Sequence, residues 1–230
     1  MAKWQDHVGL LAKAHKYVAR SAFKLLQIQK RSQLIHPGDW VLDLGCSPGA
    51  WLQVACQLLG PLHCGGSVIG IDIKDTALPL VGCDDRVMAI KEDVRTMSHD
   101  DFQYLCPGGF HVVLSDMCHN TTGNAMLDAA RSLQLGQLAA EVALGEQQSF
   151  SGGGSSADDG ISLEHHGVLQ ENGNLLIKLL QGSGSQEFAK QLRPQFRKVL
   201  WMRPEASRRA SREMYVLGLG RRYACSTQPA

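Results

Sequence analysis

Short apolar runs that end at or near an aspartate or a glycine recur along this chain, with stretches of helical periodicity between them. Residues 40–45 (WVLDLG), 67–73 (SVIGIDI), 110–116 (FHVVLSD) and 174–179 (NLLIKL) are too short for buried helices and lack the alternation of half-exposed strands. They read as strands buried on both faces, the pattern of a parallel sheet. Residues 86–90, 198–202 and 214–219 add three more strands, and helices are expected at 17–30, 50–59, 98–105, 125–144 and 185–192. Strands alternating with helices predict βαβ units, right-handed crossovers and an α/β fold.

The 230 residues suffice for one sizeable core and hardly for two. With 44% hydrophobic and 20% charged residues, a disordered chain is excluded. No run of about 18 apolar residues occurs, so no membrane-spanning helix is expected. The first 20 residues are basic but have no apolar core of signal-peptide type, and the N-terminus is read as mature protein. Seven scattered cysteines form no Cys-x-x-Cys pair, which argues against a disulfide framework or a zinc ribbon and for reduced thiols inside a cell. Residues 149–166, rich in Gly, Ser and Asp, read as a disordered insertion. The adjacent His165 and His166 have no third ligand at helical spacing, so no metal site is expected there.

The net charge of +1 conceals a partition. Residues 1–36 and 186–222 together carry 17 basic and 4 acidic groups, while the rest of the chain carries 6 and 18. Two basic ends around an acidic middle suggest a polyanion bound where the ends meet, although basic helix faces are also found with no partner but water.

Between the first strand and its helix lies Asp43-Leu44-Gly45-Cys46-Ser47-Pro48-Gly49-Ala50-Trp51. Glycines at 45 and 49 let the backbone turn sharply and approach a ligand. The loop is neither G-x-G-x-x-G nor a phosphate loop ending in Gly-Lys-Ser/Thr. A ligand carrying adenosine without a pyrophosphate fits better. Asp72 ends the second strand, 23 residues beyond Gly49, where a carboxylate can accept both ribose hydroxyls. Asp93 follows the third strand, placed for an adenine amine, and Asp116 ends the fourth. Each aspartate alone is an ordinary cap or turn residue. Four of them (43, 72, 93 and 116) at the carboxyl edge of four successive strands mark the edge where open α/β sheets bind ligands.

These residues bring a family into view. The chain resembles the FtsJ/RrmJ family of S-adenosylmethionine-dependent ribose 2′-O-methyltransferases over nearly its whole length, the 149–166 insertion excepted. The matching stretches are Arg20-Ser21-Ala22-Phe23-Lys24-Leu25, DLGCSPGAW (43–51), SDMCHN (115–120), LLIKLLQG (175–182) and RPEASRRASREMY (203–215). The glycine loop is generic to methyltransferases, whereas the Lys, Asp, Lys, Glu set is specific. The resemblance implies a Rossmann-like class I methyltransferase fold, with a mostly parallel seven-stranded sheet and helices on both faces, as one domain over 1–230. It implies Lys24, Asp116, Lys178 and Glu213 as the catalytic tetrad, Lys178 being the proton acceptor. It implies S-adenosyl-L-methionine as cofactor, held by Asp43, Gly45, Pro48, Gly49, Ala50, Trp51, Asp72, Asp93 and Asp116. The 203–215 block is similar to the branch acting on large-subunit rRNA. A tRNA anticodon loop is the alternative substrate, and a largely non-catalytic assembly factor the alternative role. SDMCHN and SAFKLLQIQ resemble plant members assigned to organelles, so a mitochondrion or other organelle is expected, with the cytoplasm as alternative. The family usually has proline where His119 stands here, so a less rigid loop beside Asp116 is expected.

Methyl transfer from a sulfonium to a ribose hydroxyl requires an in-line approach and loss of a weakly acidic proton, and the departing thioether is neutral. The base must itself be neutral, whereas a free lysine has a pKa of about 10.4. Burial and a second cation, for which Lys24 is the candidate, are expected to lower Lys178, with Asp116 opposing. A lysine within Leu175–Leu180 is costly to bury unpaired, and the bland alternative is an edge-strand lysine reaching for water. Lys13, Lys16, Arg20, Lys30 and Arg31 from one end, with Arg203, Arg208, Arg209 and Arg212 from the other, are candidates to contact RNA phosphates. The expected partner is large-subunit rRNA within a ribosomal particle, with no DNA or membrane partner, and the protein is expected to be a monomer.

Overall fold

The computed structural model describes residues 16–78, 80–145, 167–208 and 211–222. The 149–166 segment with His165 and His166, and the candidate phosphate contacts Lys13 and Arg209, lie outside the described residues. Seven strands form one sheet: β1 (Trp40–Leu44), β2 (Ser67–Asp72), β3 (Val87–Lys91), β4 (Phe110–Ser115), β5 (Leu169–Leu180), β6 (Phe196–Met202) and β7 (Glu213–Arg221). Helices are α1 (Ala22–Ser32), α2 (Ala50–Leu58), α3 (His99–Leu105), α4 (Ala125–Leu144) and α5 (Ser185–Leu192). The strand order is β3-β2-β1-β4-β5-β7-β6; β7 runs antiparallel to β5 and β6, and the other pairings are parallel.

Side-chain alternation divides the core into two layers. Leu42 and Leu44 of β1 face one way, onto Phe102 of α3, Ala139 and Ala140 of α4, and Phe188 of α5. Val41 faces the other way, onto Leu25 and Ile28 of α1 and Leu52 and Val54 of α2. A Val, Leu or Phe fully buried this way contributes about 1.5–3 kcal/mol, so either layer outweighs any single polar contact in the fold.

Two boundaries differ from the sequence reading by more than two residues. The first helix starts at Ala22 rather than at 17, because the preceding residues are tied to α2 instead of to one another. Gln53 accepts from the Val18 amide (2.8 Å), its own amide donates to the Lys16 carbonyl (3.1 Å), and Tyr17 donates to Gln57 (2.7 Å). Strand β5 begins at Leu169, five residues before the expected 174. Asn172 there has φ 63° and the β4 register shifts between Phe110 and Val112. Asn-Gly at 172–173 signals a turn locally, but here it forms an irregularity that the strand passes through.

Candidate active site

The antiparallel return of β7 builds the centre of the site. Pairing with β5 places Tyr215 opposite Lys178 and Glu213 opposite Leu180. Directly opposed residues share a face, so Lys178 and Tyr215 both point toward α1. Lys178 is 5% exposed; its Nζ donates to the Asp116 carbonyl oxygen at 2.6 Å and lies 3.1 Å from Asp116 Oδ1. The same carboxylate oxygen accepts from the Tyr215 hydroxyl at 3.0 Å. Lys24, on the first turn of α1, donates to Glu213 Oε2 at 2.8 Å. Lys24, Asp116, Lys178 and Glu213 are therefore gathered into one cluster, with the two amines buried and the two acids half-buried, and the edge-strand alternative for Lys178 is excluded.

The charges interact differently from expectation in one respect. Burial is the largest influence on Lys178 and pulls its pKa down, but Asp116, Cys118 and Glu213 together outweigh it, and the net value lies above that of an ordinary lysine. The Lys24 ammonium, the expected second cation, is paired with Glu213. Burial opposes ionisation of Glu213, yet Lys24, with help from Lys178, holds its pKa below the usual value. Tyr215, fully enclosed, is pushed well up by burial and by Asp116, and remains a hydrogen-bond donor. No local pattern marks Tyr215 as part of the site; its place follows from the β5–β7 register alone.

The glycine-rich loop closes against this cluster. Gly45 has φ +81°, and a Cβ there would come within 2.9 Å of the Met117 backbone nitrogen and Cα, beside Asp116. Gly49 has φ +104° and opens α2, so both glycines occupy conformations that side-chain-bearing residues rarely adopt. Pro48 follows a cis Ser47–Pro48 bond, and Ala50 is buried at the head of the helix. Trp51 is 3% exposed, donates to the Ser21 carbonyl (3.0 Å) and stands 5.9 Å from the Tyr215 ring, so it forms a wall of the cluster.

Asp43 is fully buried, and neither carboxylate oxygen has a partner. Burial, then Asp116 and Asp72, push its pKa well up. Asp72 accepts from the Ser47 amide (3.0 Å) and the Lys74 amide (2.8 Å), fixing the loop to the end of β2. Asp93 is not drawn into this group: Arg95 engages both of its oxygens and lowers its pKa. An unpaired buried carboxyl flanked by two further acids fits a cationic ligand and repels a pyrophosphate. The residues thus fit S-adenosylmethionine, whose sulfonium and ammonium are both positive, better than a nicotinamide dinucleotide.

The segment after Asp116, where the family's proline is lacking, is bonded to the helix that follows it. Asp128 in the first turn of α4 accepts from the Thr122 amide and hydroxyl, both at 2.8 Å, and His119 Nε2 lies 3.5 Å away. The two basic segments also lie side by side. Beyond Lys24 and Glu213, the Ala206 amide donates to Gln27 (3.0 Å) and Arg31 reaches Glu205 (3.2 Å). Three of the candidate phosphate contacts have protein acceptors: Arg31 in Glu205, Arg203 in the Ser211 carbonyl and Arg212 in that of Ala125.

A family model, FtsJ-like methyltransferase, matches residues 17–221. The ribosomal RNA large subunit methyltransferase E of Desulforapulum autotrophicum is 35% identical over 96% of this chain and 94% of its own. That of Chromobacterium violaceum is 36% identical over 95% of each. Among solved structures, one from Plasmodium falciparum named as a ribosomal RNA methyltransferase superposes with a TM-score of 0.67 over 89% of this chain and 98% of its own. At 20% identity that likeness speaks for the fold alone.

Proposed function

The chain belongs to the FtsJ-like methyltransferase family, and from that premise we propose that it transfers a methyl group from S-adenosylmethionine to a ribose 2′-hydroxyl of large-subunit ribosomal RNA, with Lys178 as general base. The observation that carries this reading is the buried Lys178 amine held between the backbone carbonyl and the carboxylate of Asp116. Relatives matched almost end to end are named for large-subunit rRNA, which supports that substrate over a tRNA loop.

Asp43, Asp72 and the Gly45–Trp51 loop would hold the cofactor at the carboxyl edge of β1 and β2. Bound there, S-adenosylmethionine supplies an activated methyl group and a positive charge close to the cluster. Asp116 and Tyr215 fix the direction of the Lys178 amine, and Trp51 excludes water behind it. Lys178 in its neutral form accepts the proton of the ribose 2′-hydroxyl as that oxygen takes the methyl group, so the proton ends on Nζ and the oxygen becomes an ether. Glu213 restrains Lys24 and adds negative charge that keeps the transferred proton favourable on Lys178. Holding reactants in line in this way can supply about 7–11 kcal/mol of barrier reduction in favourable cases. A nearby charge that favours protonated Lys178 slows formation of the neutral base, so turnover is expected to rise with pH.

The test is transfer of labelled methyl to hypomethylated large ribosomal subunits, followed by mapping of ribose-methylated positions. Label appearing on a base, or only on tRNA, would contradict the proposal.

A further inference from the structure

Two neighbouring apolar side chains stand in water beside the cluster. Met126 is 79% exposed and Leu127 41% exposed. Both lie in the first turn of α4, just beyond its cap Asn124. Their exposure serves no packing need, since the helix packs on the sheet through Ala129, Ala139, Ala140 and Ala143.

This turn is fastened to the catalytic strands. Both terminal nitrogens of Arg212, the residue before Glu213, donate to the Ala125 carbonyl at 3.0 Å. The Arg212 carbonyl accepts from the Gln181 amide at 2.8 Å, three residues beyond Lys178. A Cβ on Gly182 would sit 2.4 Å from that of Ala129, so strand end and helix are in van der Waals contact. Met126 and Leu127 thereby stand on a turn bonded to the segment that carries Glu213 and, through Gln181, to the end of the strand that carries Lys178.

Two arginines stand on the basic segment joined to this turn: Arg212, whose guanidinium is bonded to the carbonyl of Ala125 just before the pair, and Arg208, which is exposed. The nearest acid in the turn, Asp128, is engaged by Thr122 and His119. Apolar surface edged by guanidinium groups complements a nucleic-acid strand, whose bases offer apolar faces and whose phosphates are anionic. A ribose buried in a cleft must also bring its base out of the stack, and that base then needs a surface to rest on.

We propose that Met126 and Leu127 form an apolar rest for a base of the substrate RNA at or next to the methylated ribose, a reading that depends on the ribose methylation proposed above. The pair sets how the RNA seats without taking part in proton or methyl transfer.

The experiment compares the parent, the double variant Met126→Ser/Leu127→Ser and the apolar swap Met126→Leu/Leu127→Met. Methylation of hypomethylated large ribosomal subunits is measured, together with binding of naked large-subunit rRNA across a salt series. The serine pair is expected to raise KM for subunits and Kd for naked RNA at least tenfold, about 1.4 kcal/mol. Its kcat, its affinity for S-adenosylmethionine and the salt slope should match the parent, because no phosphate contact is lost. The apolar swap should restore KM. A serine pair with KM within twofold of the parent overturns the proposal, as does a fall in kcat alone or a flattened salt slope. A raised KM on subunits with unchanged binding of naked RNA assigns the pair to a ribosomal protein and likewise overturns it. A folded parent that methylates no RNA removes the functional reading and this proposal together, an outcome distinct from failure in the serine arm.

Discussion

Lys178 Nζ lies 2.6 Å from the main-chain oxygen of Asp116 and 3.1 Å from its carboxylate, so one residue grips the amine twice. The main-chain bond survives substitution of the side chain, whereas the charge does not. That separates positioning of the base from control of its protonation.

Replacing Asp116 by Asn should therefore move the pH profile as well as lower the rate. In the parent, Asp116 helps hold the Lys178 pKa above the ordinary value against burial. Single-turnover rates should climb with pH from neutrality, since the proposed mechanism needs the neutral amine. Without the carboxylate charge burial dominates, so in Asp116→Asn the rise should begin at lower pH. The plateau should fall at least tenfold from loss of orientation, about 1.4 kcal/mol. A rise displaced to higher pH would contradict the assignment.

Tyr215→Phe removes the hydroxyl bonded to Asp116 and leaves the buried ring. The loss of one such bond should lower kcat about five- to tenfold, near 1–1.4 kcal/mol, with little change in melting temperature. Affinity for S-adenosylmethionine by calorimetry should stay within twofold. An unchanged kcat would mean that Asp116 needs no help from β7.

Asp43→Asn should stabilise the free protein while weakening the cofactor. The buried, unpartnered carboxyl has a raised pKa, so the folded state binds more protons than the unfolded state, and stability falls as pH rises above about 3.9. Thermal unfolding should show little difference between variant and parent at pH 4. At pH 8 the variant should be more stable by about 1–3 kcal/mol. Cofactor affinity should drop at least tenfold. A variant less stable than the parent at pH 8 would show that the carboxylate has a partner.

Gly45→Ala forces a side chain onto φ +81° and into the backbone of Met117. A strain of about 1–3 kcal/mol is expected in the melting curve. The displaced segment adjoins Asp116, so both cofactor affinity and kcat should fall, which separate binding and single-turnover measurements would detect.

The sequence shows most of the sheet, because strands buried on both faces announce themselves as apolar runs, and its glycines mark the sharp turn from β1 into α2. The tetrad emerges from resemblance and not from periodicity: Lys24 and Glu213 are 189 residues apart in the chain, and no local pattern records such a pairing. Three features escape local reading for the same reason. The start of α1 depends on Gln53 and Gln57 of another helix, the early part of β5 on its fit to β4, and the place of Tyr215 on an antiparallel register. The charge balance at Lys178 is also invisible before the fold, because whether Lys24 stands free or pairs with Glu213 is a matter of a few ångströms.

The central claim is tested most directly by Lys178→Met, which keeps an unbranched side chain of similar girth and removes the amine. Single-turnover methyl transfer to hypomethylated large ribosomal subunits is measured under saturating S-adenosylmethionine, with cofactor affinity recorded in parallel. The account predicts a rate at least 10²–10⁴-fold below the parent, the usual contribution of a positioned base, with cofactor binding retained. A variant that binds cofactor like the parent and methylates within twofold of its rate would contradict it.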